Sequence, residues 1–184
     1  MHTGGMQYVN SSPLPATLDA PRIVLRHLAA TLAYRAAKVL RDMPAGFDTF
    51  GSATRRPVEI VAHMADLMAW GLTLARGDYV WKAEGSDDLD VEVRRFFDGL
   101  AALDRVLAAE GPFHGSTEKL IQGPLADALT HVGQLAMLRG MAGAPVRPES
   151  YARAEIMPGR LGLDQAAPVL EFDGDASAVT RGTR

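Results

Sequence analysis

Two histidines of this chain stand in matching company. His63 has Glu59 four residues before it and Asp66 three after, and His131 has Asp127 four before and Gln134 three after. Side chains at those spacings share one face of a helix, so each set would form a narrow polar stripe. A solvated helix face is generally coated with lysine, glutamate and arginine, whereas these stripes offer imidazole, carboxylate and amide. Those are groups that bind a divalent cation or move a proton. A plainer reading stands beside this one: either stripe could be a solvent face, and a histidine at the margin of an apolar face is commonly just hydrogen-bonded structure. The repetition brings the ligand reading level with the plain one, since two such helices packed side by side would aim both imidazoles into one partly dry pocket.

The elements that must hold these stripes are helices. Gly123-Pro124 opens the segment GPLADALTHVGQLAMLRGMAG, with Pro124 suited to the first helical position, and Gly143 with Pro145 closes it. Asp127, Thr130, His131 and Gln134 form the stripe. Leu125, Leu129, Val132, Leu135, Ala136, Met137 and Leu138 take nearly all the remaining circumference, with Arg139 the exception, so burial on most sides is expected. The other stripe lies on a helix from Pro57 to about Arg76, before Gly77, with Ile60, Val61, Met64, Leu67 and Met68 as its core face and Trp70 extending the polar line. Mid-helix glycine costs about 1 kcal/mol against alanine, so Gly71 and Gly133 are each expected to permit close helix approach or spare room near the pocket.

Two further helices supply the frame. Asp19 can cap the first, with Pro21 in its opening turn, Leu25, Leu28, Leu32, Ala36 and Val39 on one apolar face, and Pro44 as its stop. Phe47 and Phe50, in the Gly-containing loop 43–56, are expected to lie over something apolar. The third helix follows the acidic linker EGSDDLD, where Ser86 can cap and Asp87, Asp88 and Asp90 favour the positive helix end. Leu89, Val93, Phe96, Leu100, Leu103 and Leu107 form a bundle seam with no chemistry in it, ended by Gly111-Pro112. STEKLIQ, residues 116–122, adds a helical turn before the Gly123-Pro124 break. Beyond Gly143 helical periodicity is lost, and VLEF, residues 169–172, is a candidate short strand. The expected fold is therefore all-α: a loose leader over 1–18, a four-helix bundle over 19–145, and an irregular extension over 146–184 with frayed last residues.

Composition narrows the chemistry. The chain has 184 residues, a net charge of −3 and no cysteine. That excludes disulfides, thiolate metal sites and a cysteine nucleophile, and fits a reducing cytoplasm. The charge gives no case for binding nucleic acid or anionic lipid. No run approaches the ~18 consecutive apolar residues of a membrane span, and MHTGGMQYVNSSPLP lacks the basic start and apolar stretch of a signal peptide. GxSxG, P-loop and GxGxxG motifs are absent, which removes the usual serine, phosphate and dinucleotide alternatives.

With both histidine helices placed, the body of the chain, about residues 20–145, resembles the DinB/YfiT-like superfamily of four-helix bundles. The likeness rests on PVEIVAHMADLMAWG around His63 and ADALTHVGQLAMLRGMAGAPV around His131. In that family a histidine of the second helix and an H-x3-H pair on the later helix bind a divalent metal, commonly zinc or nickel. His63 matches the first, and His131, followed by Val-Gly-Gln, resembles the second member of the pair with its HxGQ continuation. The first member would fall at Asp127, which departs from the pattern. The resemblance thus implies a metal site of His63, Asp127 and His131, in which the harder carboxylate could move preference toward iron or manganese, or else a degenerate site. Glu59 is a spare carboxylate for the same face, as ligand or as partner to an imidazole N–H. His27 reads as structural, and His2 and His114 as loop residues.

Three protein ligands leave open positions on a metal, where water or a thiol can lose its proton. The family's characterised members are mostly transferases using bacillithiol, mycothiol or glutathione, so the resemblance implies attack of a metal-held external thiolate on an electrophile, and a bundle that dimerises. A metal-dependent hydrolase, with hydroxide as nucleophile and Glu59 or Asp66 as base, is the second reading. A non-catalytic, stress-associated binding bundle is the third.

Overall fold

The computed structural model describes residues 18–51 and 55–172; the expected leader through residue 17, with His2, and the expected C-terminal fraying lie outside them. Helix α1 (Ala20–Leu40) starts as its sequence dictates, the Asp19 carboxylate accepting the Arg22 backbone N–H at 2.9 Å with a proline in the first turn. Its far end is closed by a distant residue. The buried Arg139 guanidinium donates to the carbonyls of Val39, Arg41 and Asp42 at 3.0, 2.6 and 3.0 Å, satisfying groups that a helix terminus leaves without partners. In the loop that follows, Phe47 is buried and stacks on Phe50 with ring centres 6.5 Å apart, as expected.

Helix α2 (Pro57–Ala75) buries Ile60, Val61, Met64, Leu67 and Met68 and ends before Gly77, whose φ of +89° suits glycine. An 18-residue window of this 19-residue helix has a mean hydropathy of 1.3, enough by length and composition for a membrane span, but Glu59, His63 and Asp66 interrupt it and 67% of that window is buried within the protein. It is a core helix. Helix α3 (Leu89–Ala108) is capped by Asp88, which accepts the Val91 N–H at 3.0 Å, rather than by Ser86. Ser86 is drawn elsewhere: its N–H and hydroxyl both donate at 2.7 Å to Glu92, a carboxylate only 1% exposed that needs donors.

The last stretch departs more from expectation. Helix α4 (Thr117–Leu120) runs through a π-helical turn (Ile121–Leu125) into α5 (Ala126–Met141). Pro124 lies inside that turn instead of opening α5. Gly123, at φ −92° and ψ −106°, breaks the helical path there, and Pro124 has no N–H to continue the ladder. VLEF forms no strand; Glu171 makes one isolated antiparallel bridge to Glu149. That bridge is reinforced from α1, where Tyr34 donates to Glu149 at 2.6 Å and Lys38 donates to Glu149 and Glu171 at 2.7 and 2.6 Å. Burial, and then the bond to Glu149, push the Tyr34 phenol pKa well up.

The described chain is all-helical, with four long helices packed around one core. Helices α1 and α2 each pack against both α3 and α5. Met64, Met68, Phe96, Leu100, Leu103 and Leu135 are fully buried between them. Helix α5 is less enclosed than its composition implies: Thr130, Gly133, Met137, Gly140 and Met141 are exposed, because α1 and α2 cover only its inner side.

Glycines show where packing is closest. A Cβ on Gly71 would sit 3.3 Å from Pro124 Cγ, so this glycine does allow a close approach, whereas one on Gly133 would meet nothing within 4 Å. Gly133 therefore permits no close helix approach among the described residues. Gly99 in α3 is tighter than both, its added Cβ falling 2.7 Å from Met68 Cβ. Gly99→Ala should lower stability by about 1–3 kcal/mol through overpacking, while Gly133→Ala should raise it by up to about 1 kcal/mol. Urea unfolding of the two variants checks both signs.

Candidate metal centre

Helices α2 and α5 bring the two histidines to one point. His63 Nε2 lies 3.4 Å from Asp127 Oδ2, and His131 Nε2 lies 3.3 Å from Asp127 Oδ1. The imidazole rings are perpendicular, with centres 4.9 Å apart. One ligand atom from each of His63, Asp127 and His131 falls within 4.8 Å of the other two, the set that the sequence singles out. The i, i+4 spacing stacks Asp127 over His131, and the close approach of Gly71 to Pro124 holds α2 against the turn from which α5 starts.

The donor set suits a cation. Gln134 Oε1 stands 2.7 Å from His131 Nδ1; with the amide oxygen assigned to that side, a neutral ring would donate from Nδ1–H and carry its lone pair on Nε2. That lone pair faces a carboxylate oxygen. Two acceptors so close repel unless a proton or a metal ion lies between them, and a ligating histidine that donates its other N–H to an oxygen is a familiar metal-site arrangement. His131 is buried, while Asp127 is 45% exposed at its side chain, so the centre opens to one side.

The other polar residues of the two stripes go elsewhere. Glu59 accepts from the Arg56 backbone N–H at 2.7 Å and from its guanidinium at 3.1 Å, closing a capping box at the start of α2. The bonds from Arg56 hold the Glu59 carboxyl below the usual carboxylate range. Asp66 is buried and accepts from Arg95 at 2.6 Å and from the Glu84 backbone N–H at 3.1 Å. Thr130 returns its hydroxyl to the Ala126 carbonyl, and Trp70 extends the line as expected, its ring 5.8 Å from that of Trp81. His27 and His114 lie outside the cluster.

The linker 78–88 contributes a wall that periodicity misses. Trp81 packs edge-on to His63 with ring centres 5.7 Å apart, and Tyr79 packs on Trp70 at 5.6 Å. Arg95 fastens the linker's far end through Asp66, Glu92 and the Ala62 carbonyl. At Gly85 the linker lies so near α2 that an added Cβ would stand 2.8 Å from Ala62 Cβ. The available signal was Tyr79-Val80-Trp81, a run of large apolar residues in a polar linker, as informative as Phe47 and Phe50 in theirs.

No protein-family model, no curated protein and no solved structure matches the chain.

Asp127→Asn should weaken metal binding strongly with little change in the stability of the metal-free protein, and Asp127→His should retain zinc or nickel. Gln134→Ala should lower affinity about 10- to 100-fold by freeing the His131 ring, while Glu59→Gln should leave it unchanged. Competition titration with a chromophoric chelator measures all four. A large loss in Glu59→Gln with none in Asp127→Asn would reassign the third ligand.

Proposed function

We propose that the chain is a DinB/YfiT-like four-helix bundle that holds a divalent ion on His63, Asp127 and His131 and transfers an external low-molecular-weight thiol to an electrophile. The observation that carries this reading is the convergence of His63, Asp127 and His131 from two helices, with Gln134 Oε1 2.7 Å from His131 Nδ1. The order of the helices and the HVGQ segment on α5 support the family assignment. Zinc or nickel is the ion the family pattern favours, and Asp127 shifts the preference toward iron or manganese. When bound, such an ion lowers the pKa of a coordinated thiol from its free value of about 8.5, so that thiolate is abundant at neutral pH.

The chain's residues have separable parts in this. Gln134 holds the His131 ring, leaving Nε2 free to ligate; Asp127 supplies negative charge at the open side. Trp81 covers His63 and limits water on that flank. Without a cysteine of its own the protein needs a thiol from outside, which suits a reducing cytoplasm. Hydrolysis is less well served, because Asp66 is engaged by Arg95 and Glu59 by Arg56, and neither is in the ligand cluster where a base would act.

Metal analysis of protein purified without a histidine tag or added metal is the first test, and chelation should lower the melting temperature of loaded protein. The second pairs bacillithiol, mycothiol and glutathione with a haloarene, an epoxide and a maleylpyruvate-like acid. We expect thiol-dependent turnover with at least one pair, reduced at least about a hundredfold in His131→Ala. Thiol-independent turnover of esters or amides, lost in His131→Ala, would instead favour a hydrolase. A loaded protein as inert as His131→Ala on every substrate would favour a binding bundle.

A further inference from the structure

Each histidine of the candidate centre borders a cavity, and the two cavities differ in lining. One, of about 410 Å³, touches His63 and is lined by the carboxylates of Glu59, Asp66 and Asp87 among others. The other, of about 300 Å³, touches His131 and is lined by Ile60, Gln134, Met137 and Leu138. Arg55, exposed at the mouth, borders both. Among the described residues the second cavity has no carboxylate in its lining, and the Arg55 guanidinium is the one permanent charge there. Ile60 and Leu138 are 3% and 5% exposed, which makes them a built apolar floor and not a passing surface dimple. Among the described residues Arg55 makes no salt bridge; its nearest effect is a weak field on Glu59, in the other cavity.

An apolar chamber with one cation at its rim selects a ligand by both features together. A neutral apolar compound would leave Arg55 unused, and a small hydrophilic anion would leave Ile60, Met137 and Leu138 uncovered. We propose that the cavity beside His131 binds a small carboxylate with an apolar body, its chain or ring against Ile60, Met137 and Leu138 and its carboxylate on Arg55. That this compound is the electrophile rests on the thiol-transfer reading; that the cavity binds it does not.

Titration calorimetry with hexanoate, hexanol and acetate, on metal-free and zinc-loaded full-length protein, tests this. Hexanoate should bind at least about tenfold more tightly than either of the others. Arg55→Gln should weaken hexanoate by about tenfold, the scale of one charged hydrogen bond, and leave hexanol unchanged. Arg55→Lys should restore part of the loss. Met137→Glu, at an exposed position that should not disturb folding, should weaken hexanoate by setting a like charge at the rim. Absence of hexanoate binding, or equal binding by parent and Arg55→Gln, overturns the proposal. So does binding that ignores Arg55 but vanishes with the metal, since the carboxylate would then sit on the ion. If zinc fails to bind while hexanoate still depends on Arg55, the cavity stands and the thiol-transfer reading falls.

Discussion

Burying α2 is the constraint that the other elements answer to. Its apolar side chains occupy most of its circumference, and α3 and the π turn ahead of α5 cover them at close range, at Gly99 against Met68 and at Gly71 against Pro124. What cannot be buried without a partner is the polar stripe, and its members are satisfied in different ways. Asp66 is neutralised by Arg95, which also reaches Glu92 and the Ala62 carbonyl. His63, one turn earlier, meets Asp127 and His131. The same demand for partners that anchors α3 thus assembles the centre on the other side of the stripe.

The two helices contribute to the site by unlike routes. Helix α2 is regular from its proline onward, so the position of His63 follows from helical period alone. Helix α5 inherits its phase from the π turn, where Gly123 leaves room for the Trp70 ring; an added Cβ would lie 3.0 Å from it. Asp127 follows one turn later. The indole, the turn and the carboxylate are one mechanical unit, which connects the aromatic wall of the linker to the ligand set.

The helices and their inward faces were legible because period, proline and glycine act locally. The cluster of His63, Asp127 and His131 was legible for the same reason: Asp127 and His131 are related by a single turn, and their likeness to the Glu59–His63 set is visible without coordinates. Glu59 was ambiguous because spacing puts it on the right face, while the Arg56 backbone N–H that claims it becomes free only at a helix start. Ser86 reads as the cap because its demand from Glu92 depends on how deeply Glu92 is buried, a tertiary fact. The fate of Gly133 could not be read either, since a mid-helix glycine looks alike whether it faces a neighbour or solvent. Arg55 and Trp81 lie in loops, where no periodicity indicates direction.

The clamp that Arg95 makes has a consequence in time. It closes a short stretch of chain, Asp66 to Arg95 being 29 residues apart, whereas His63 and Asp127 are 64 apart. Closing the shorter loop costs about 0.7 kcal/mol less entropy, so the expected order has the α2–α3 hairpin form ahead of the docking of α5. The ligand set is complete only at the end of that sequence. An ion held there stabilises contacts absent from the folding transition state, so it should slow unfolding and leave the refolding rate nearly unchanged. Stopped-flow chevrons with and without chelator would register that asymmetry as a shift of one limb alone.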